Sequence, residues 1–163
     1  MRLFRSVTLL LILLFGASTD LFCADQFVVV LDAGHGGKDP GAVNGKAQEK
    51  NINLNVALKV GKLIEENCKD VEVIYTRKSD TFIELSKRAD IANKADADLF
   101  ISIHTNSATN KSAYGAETFL LGVEENRTSA NFNVAIAENK AILYESDYET
   151  TYAGYDPNSA ESQ

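Results

Sequence analysis

Apolar runs separated by polar and glycine-rich breaks set out an alternation of strands and helices along the chain. Phe27-Val-Val-Val-Leu31 is a run of β-formers that stops at Asp32, and the ten residues from Asp32 to Gly41 hold four glycines and a proline. This is the pattern of a buried parallel strand delivering a loop at its carboxyl end. The loop runs to about Gln48. A helix is predicted from Glu49, with Ile52, Val56, Val60 and Leu63 as its buried face and Leu54 and Leu58 widening it. Glu49 stands in the first turn, where a carboxylate suits the helix dipole. Val71 to Thr76 alternates as a second strand. Asp80 or Thr81 is expected to cap the next helix, which carries Leu85, Ala89 and Ala92 on one face beside Arg88. Leu99 to Ile103 reads as a third buried strand, and Ala116 to Leu121 as a fourth after a loop from Thr105 to Gly115. From Ser129 to about Tyr144, Phe132, Ala135, Ile136 and Leu143 suggest one more amphipathic helix. The acidic, tyrosine-bearing tail from Glu145 predicts no strand.

This order predicts an α/β fold: a mostly parallel, twisted sheet with helices on both faces, built from right-handed crossovers. Ligands of such sheets bind beyond the carboxyl ends of the strands. The chain has two histidines, His35 and His104, and each follows the end of an apolar strand. If they share a site, the first and third strands must be neighbours, ~4.8 Å apart, with the second strand on the other side of the first.

Composition narrows the partners. At 163 residues there is room for one domain with a modest core. A net charge of −7 argues against nucleic acid or an anionic membrane surface as the main partner. Arg2 and Arg5 precede a short apolar run, Val7 to Phe15, that falls short of a bilayer core of ~30 Å, and small residues follow at Gly16 to Thr19 and at Ala24. Residues 1–24 are therefore expected to be a secretory signal peptide and the chain secreted or periplasmic, with an uncleaved anchor as the competing reading. Phe22 speaks against Cys23 as a lipoprotein cysteine. If Cys23 leaves with the signal, Cys68 has no partner for an intrachain disulfide.

The two histidines and one glutamate raise a specific chemistry. A catalytic zinc site takes three protein ligands and keeps one open position, and two His plus one Glu is a known set. His35, Glu49 and His104 fit it by type and placement. A loop histidine also serves as a surface or capping residue, and the residues alone leave both readings open. Phosphate loops fail: from Gly34 and Gly36 the third glycine of a dinucleotide fingerprint falls on Asp39, and Gly41 to Lys46 is one residue short of a P-loop. No Gly-x-Ser-x-Gly elbow exists for a serine nucleophile.

Five segments in order carry a resemblance: Leu-Asp-Ala-Gly-His-Gly-Gly-Lys-Asp-Pro-Gly-Ala, Gln-Glu-Lys-Asn-Ile-Asn-Leu, Tyr-Thr-Arg, Ile-Glu-Leu-Ser-Lys-Arg-Ala-Asp-Ile-Ala-Asn, and Ala-Asp-Leu-Phe-Ile-Ser-Ile-His-Thr-Asn. Across roughly residues 27 to 121 the chain resembles the zinc-dependent N-acetylmuramoyl-L-alanine amidases, bacterial cell-wall hydrolases with an α/β catalytic domain. The resemblance implies a catalytic domain over 25–163 and one zinc ion on His35, Glu49 and His104. It implies peptidoglycan as partner, and zinc-activated water that hydrolyses the amide between the lactyl group of N-acetylmuramic acid and L-alanine of the stem peptide. Arg77, Arg88 and Asn106 fall on family positions. The arginines are expected to pair with carboxylates, and Asn106 to brace the loop behind His104. Glu117 is expected to be structural or groove-lining. The family's second catalytic glutamate lies on a late strand that this sequence, ending at Gln163, does not reach. The sheet is thus expected to be incomplete at the C-terminus, with the general acid/base beyond Gln163. The alternative is a zinc-holding, peptidoglycan-binding pseudoenzyme or inactive fragment.

Overall fold

A computed structural model describes residues 26–108, 110, 112–120 and 129–154, with 129–133 as backbone only. The expected signal segment with Cys23, Leu121 at the end of the expected fourth strand, the Phe132 side chain and the tail beyond 154 lie outside the described residues.

The strand β1 (Phe27–Ala33) is the middle of a three-stranded parallel sheet, between β4 (Val71–Tyr75) and β5 (Leu99–Ile103). This is the order a shared histidine site demands. Its register sets Leu31 against Tyr75 on one side, and Asp32 against Ser102 and Ala33 against Ile103 on the other. Paired on both edges and covered on both faces, β1 is buried from Val29 to Ala33. That explains its unbroken apolar run. Complete burial of side chains such as Val30 and Leu31 contributes about 1.5–3 kcal/mol each.

Helix α1 (Glu49–Asn67) covers one face of the sheet. Its expected buried stripe is wrong at Ile52, Val56 and Leu63, while Leu54, Leu58 and Val60 are half-buried. Ile52 and Val56 are 40% exposed and Leu63 is 59% exposed, whereas Glu49, Lys50, Asn53, Ala57 and Gly61 are buried. Two physical reasons turn the helix. Small residues let it approach the sheet, since a Cβ on Gly61 would lie 1.8 Å from the Tyr75 hydroxyl oxygen. The polar side chains Glu49, Lys50 and Asn53 then find partners at the strand ends that water would otherwise have to supply.

Helix α2 (Leu85–Lys94) lies against the opposite face, where Arg88 reaches Asp32; successive side chains of β1 alternate between the two faces. Arg88 is buried on α2, while Ala89 is exposed and Leu85 and Ala92 are half-buried. Neither Asp80 nor Thr81 caps this helix. Its N-cap is Glu84, which makes no side-chain cap bond, and the Leu85 N–H donates to Glu145 Oε1 at 2.8 Å from sixty residues further on. Asp80 instead accepts from Lys50 Nζ at 2.8 Å and from the Gly37 N–H at 2.7 Å.

The third strand was expected to be buried, but Leu99, Phe100 and Ile101 of β5 are 36–43% exposed. Among the described residues β5 pairs only with β1, so it stands at an edge. Residues 116–120, expected as a strand, form none and are exposed, because they find no ladder partner among the described residues. A two-stranded hairpin, β2 (Val43–Asn44) with β3 (Ala47–Gln48), sits in the loop before α1. The last expected helix is split into α3 (Ser129–Asn139) and a 3₁₀ turn, Lys140–Tyr144. The turn buries Ile142 and leaves the expected Leu143 51% exposed. A short α4 (Tyr148–Thr151) follows. No helix among the described residues is long and apolar enough to cross a membrane.

Candidate metal centre

Beyond the end of β1 the backbone enters a conformation that needs support. His35 has φ 61°, a left-handed value that costs a non-glycine residue about 1–2 kcal/mol. Two guanidiniums hold the carbonyls there. Arg77 donates from Nε to Ala33 O at 2.8 Å and from Nη2 to Gly34 O at 2.9 Å. Arg88 donates from Nη1 to Ala33 O and from Nη2 to His35 O, both at 3.0 Å. Arg88 also pairs with the Asp32 carboxylate, as expected. Arg77 does not follow its expectation of a carboxylate partner; its hydrogen bonds go to the main-chain carbonyls of Ala33 and Gly34 at the strand's end and of Lys50 and Ser79.

The supported loop brings His35 to Glu49, at the first turn of α1, and to His104, just past β5. Glu138 of α3 joins them, and the four donor atoms all lie within 4.8 Å of one another. His35 Nε2 is 3.3 Å from Glu49 Oε2 and 3.4 Å from Glu138 Oε2. His104 Nδ1 is 3.2 Å from Glu49 Oε1 and 2.9 Å from Glu138 Oε2. Glu49 is fixed by the Ala42 N–H at 2.9 Å, the Thr105 N–H at 2.7 Å and Asn53 Nδ2 at 3.3 Å. Thr105 in turn donates its hydroxyl to Asn53 Oδ1 at 2.8 Å. On the far side of His35, Nδ1 meets Asp39 Oδ2 at 2.8 Å.

So many carboxylates around two imidazoles dominate the electrostatics. Burial works against a charged His35, but its bonds to Asp39, Glu138 and Glu49 outweigh that and push its pKa up to about 11. Burial opposes charge on His104 too, and Glu138 and Glu49 raise it to about 9. Burial favours neutral Glu49 and Glu138, yet the two histidines hold both carboxyls below the usual carboxylate range. Without a metal the cluster is held together by protons.

Three observations fit these residues to a metal. Nε2 of His35 is buried, makes no well-aligned hydrogen bond, and faces the carboxylates of Glu49 and Glu138 at 3.3 and 3.4 Å, where a metal would replace its proton. Gly34 and Gly41 leave room for the ligands: a Cβ on Gly34 would lie 2.3 Å from His104 Cε1 and Nε2, and one on Gly41 2.6 Å from His35 Cδ2 and 2.8 Å from Glu49 Cβ. The donors are imidazole nitrogens and carboxylate oxygens, a set that suits zinc. His35, Glu49 and His104 alone make a three-ligand centre with an open position. Glu138 as a fourth donor closes it.

The sequence placed three of these four residues near one another and missed Glu138, Asp39, Asn53 and Thr105. Asp39 had a local signal, four residues after His35 inside a glycine-rich turn. Glu138 had a faint one, an acid after the apolar stretch Val134 to Ala137. The loop behind His104 is held by Thr105. Asn106 is exposed and, with Glu138, lines two cavities of about 410 and 950 Å³. Glu117 is exposed and lines the larger one, as does Arg88.

Comparison with known proteins adds a lineage to this geometry. Residues 29–159 match the family described as N-acetylmuramoyl-L-alanine amidase. A putative N-acetylmuramoyl-L-alanine amidase of Buchnera aphidicola subsp. Baizongia pistaciae is 41% identical over 95 residues, covering 58% of this chain and 43% of the relative. The N-acetylmuramoyl-L-alanine amidase AmiA of Escherichia coli is 47% identical over 96 residues, covering 58% of this chain and 32% of the relative. Among solved structures, the amidase of Clostridium difficile 630 aligns with a TM-score of 0.51 at 35% identity, over 56% of this chain and 50% of that one. The CwlV catalytic domain from Bacillus (Paenibacillus) polymyxa aligns with a TM-score of 0.50 at 48% identity, over 53% and 49%. The chain thus spans about half or less of the length of these relatives.

Proposed function

The chain belongs to the N-acetylmuramoyl-L-alanine amidase family, and from that premise we propose that it holds one zinc ion on His35, Glu49 and His104 and hydrolyses peptidoglycan. The bond cut in this reading is the amide between the lactyl group of N-acetylmuramic acid and L-alanine of the stem peptide. The observation that carries it is the buried Nε2 of His35, which makes no well-aligned hydrogen bond and faces Glu49 and the cluster that His104 completes. When bound, zinc supplies Lewis acidity and activates water for attack at neutral pH. The chain's own part is placement. Ala42 and Thr105 fix the two oxygens of Glu49 through their N–H groups, and Arg77 and Arg88 hold the His35 turn. The two cavities lined by His35 and Glu138 give a muramoyl-peptide room to lie beside the cluster.

Glu138 supports a second reading. Its Oε2 sits 2.9 Å from His104 Nδ1, where a fourth ligand stands, and a closed four-ligand centre is the mark of a structural site. The chain would then be a zinc-holding module that binds cell wall without cutting it. Incubating the zinc-loaded chain with purified peptidoglycan and analysing the supernatant by mass spectrometry separates the two. Stem peptides released with a free L-alanine amine support the amidase; wall binding with no released peptide supports the module. A secreted or periplasmic location, with residues 1–24 read as a signal peptide, belongs to the same proposal because the substrate lies outside the cytoplasm.

A further inference from the structure

Among the described residues around the cluster, Asp39 alone touches a histidine nitrogen from the outside. We propose that Asp39 is a positioning residue of the zinc site: its carboxylate keeps the proton on Nδ1 of His35 and so leaves the Nε2 lone pair for the metal. This rests on the zinc reading above.

Asp39 is 3% exposed and both its oxygens are committed. Oδ2 is 2.8 Å from His35 Nδ1, and Oδ1 accepts the Gly41 N–H at 3.0 Å. Its backbone is locked to the same turn by reciprocal bonds with Gly36, 2.9 and 3.0 Å long. The carboxylate therefore cannot swing away. An ionised carboxylate only accepts, so the ring nitrogen facing it must donate. A neutral imidazole with its proton on Nδ1 has its free electron pair on Nε2, the atom that is buried without a well-aligned hydrogen bond. His104 is set the other way: its Nδ1 faces the two glutamates. The two histidines thus present opposite nitrogens to one centre, and at His35 the group that makes the choice is Asp39.

The geometry makes Asp39→Asn a sharp probe. The amide has the same shape but one oxygen. If that oxygen keeps the Gly41 N–H, the NH₂ group faces Nδ1 and demands a lone pair there. The proton then moves to Nε2, where it blocks the metal. If the amide flips, its NH₂ meets the Gly41 N–H, donor against donor. Partners of this kind behind a ligand typically change metal affinity ~10–100-fold.

The test uses the full chain. Zinc affinity of the wild type and of Asp39→Asn is measured by competition with a chromophoric chelator. The ring nitrogens are followed by long-range ¹H–¹⁵N NMR on histidine-labelled, zinc-loaded wild type, which has only two histidines. The expected result is ~10–100-fold weaker zinc binding in the variant. In the wild type, one imidazole should carry its proton on Nδ1, in a downfield, slowly exchanging resonance, and the other on Nε2. Unchanged affinity, or two imidazoles both protonated on Nε2, overturns the proposal. Because the NMR measurement uses the wild type, it decides the matter even if the variant fails to fold. A wild type that binds no zinc overturns the metal reading itself, and this outcome differs visibly from a wild type that binds zinc with Asp39 irrelevant to it.

Discussion

Arg88 Nη1 and Asp32 Oδ1 lie 2.7 Å apart, and both side chains are almost wholly enclosed. The carboxylate also accepts the hydroxyls of Thr76 at 2.6 Å and Ser102 at 2.7 Å, one from each neighbouring segment of the sheet. The guanidinium goes on to the His35 carbonyl. One buried pair therefore ties the sheet to the turn that places a metal ligand. Removing one partner leaves the other charge stranded, which costs about 3–5 kcal/mol. Arg88→Ala should lose that much in urea denaturation. Arg88→Lys keeps a charge but not the fork that reaches both carboxylate and carbonyls, so it should fall between the two. A melting curve unchanged in Arg88→Ala would contradict this role.

The protons that would hold a metal-free cluster together must leave when zinc enters. With His35 at about 11 and His104 at about 9, both imidazoles are charged at neutral pH in the metal-free chain. Zinc affinity should therefore rise steadily between pH 6 and 9, measured by chelator competition in matched buffers. Stability of the metal-free chain should move the other way. A histidine raised in the folded state stabilises fully below its ordinary 6.5, and that contribution is lost as pH climbs through about 9 and then 11. Thermal melting of the metal-free form should thus fall above pH 8 while zinc binding strengthens. Glu49 and Glu138, depressed by the same histidines, add stability that is lost in acid, as pH falls below the ordinary carboxylate range.

Two glycines with the same backbone should respond differently. Gly41 and Gly45 have φ values of 64° and 59°, so alanine at either strains the chain by about 1–2 kcal/mol. Only at Gly41 would the new Cβ meet His35 and Glu49; at Gly45 nothing lies within 4 Å. Gly41→Ala should lose zinc binding, and Gly45→Ala should lose stability alone. Equal zinc affinity in the two variants would mean that the cradle around His35 is not tight.

Removing the fourth carboxylate tests what Glu138 does. Glu138→Ala should weaken zinc retention and, in the amidase reading, increase stem-peptide release from purified wall by opening a coordination position. If Glu138→Ala releases no peptide while still binding zinc and wall, the zinc-holding module is the better account.

Much of the site was legible because it lies where local pattern is strongest. The apolar run of β1 ends in a glycine-rich turn, and it delivers His35; Glu49 and His104 follow from the same strand-end logic. The order of the three strands followed from requiring the histidines to meet. What failed depends on distant partners. The buried face of α1 could not be read by hydrophobicity, because Asn53 and Lys50 turn inward to satisfy the Gly34 and Gly37 carbonyls and Gly61 yields space to Tyr75. Glu138 was hard to read for a related reason. Ile142 and Glu145, the latter bonded to the start of α2, seat the segment that follows α3, and no periodicity along α3 records that docking.

The central claim is one zinc ion held by His35, Glu49 and His104. Metal content by inductively coupled plasma spectrometry, after dialysis against trace zinc, tests it most directly when run on the wild type beside His35→Ala, Glu49→Gln, His104→Ala and the remote Lys62→Ala. The account predicts one zinc per chain in the wild type and in Lys62→Ala, and loss of bound metal in each of the other three. A metal-free wild type, or ligand variants that keep a full equivalent of zinc, would contradict it.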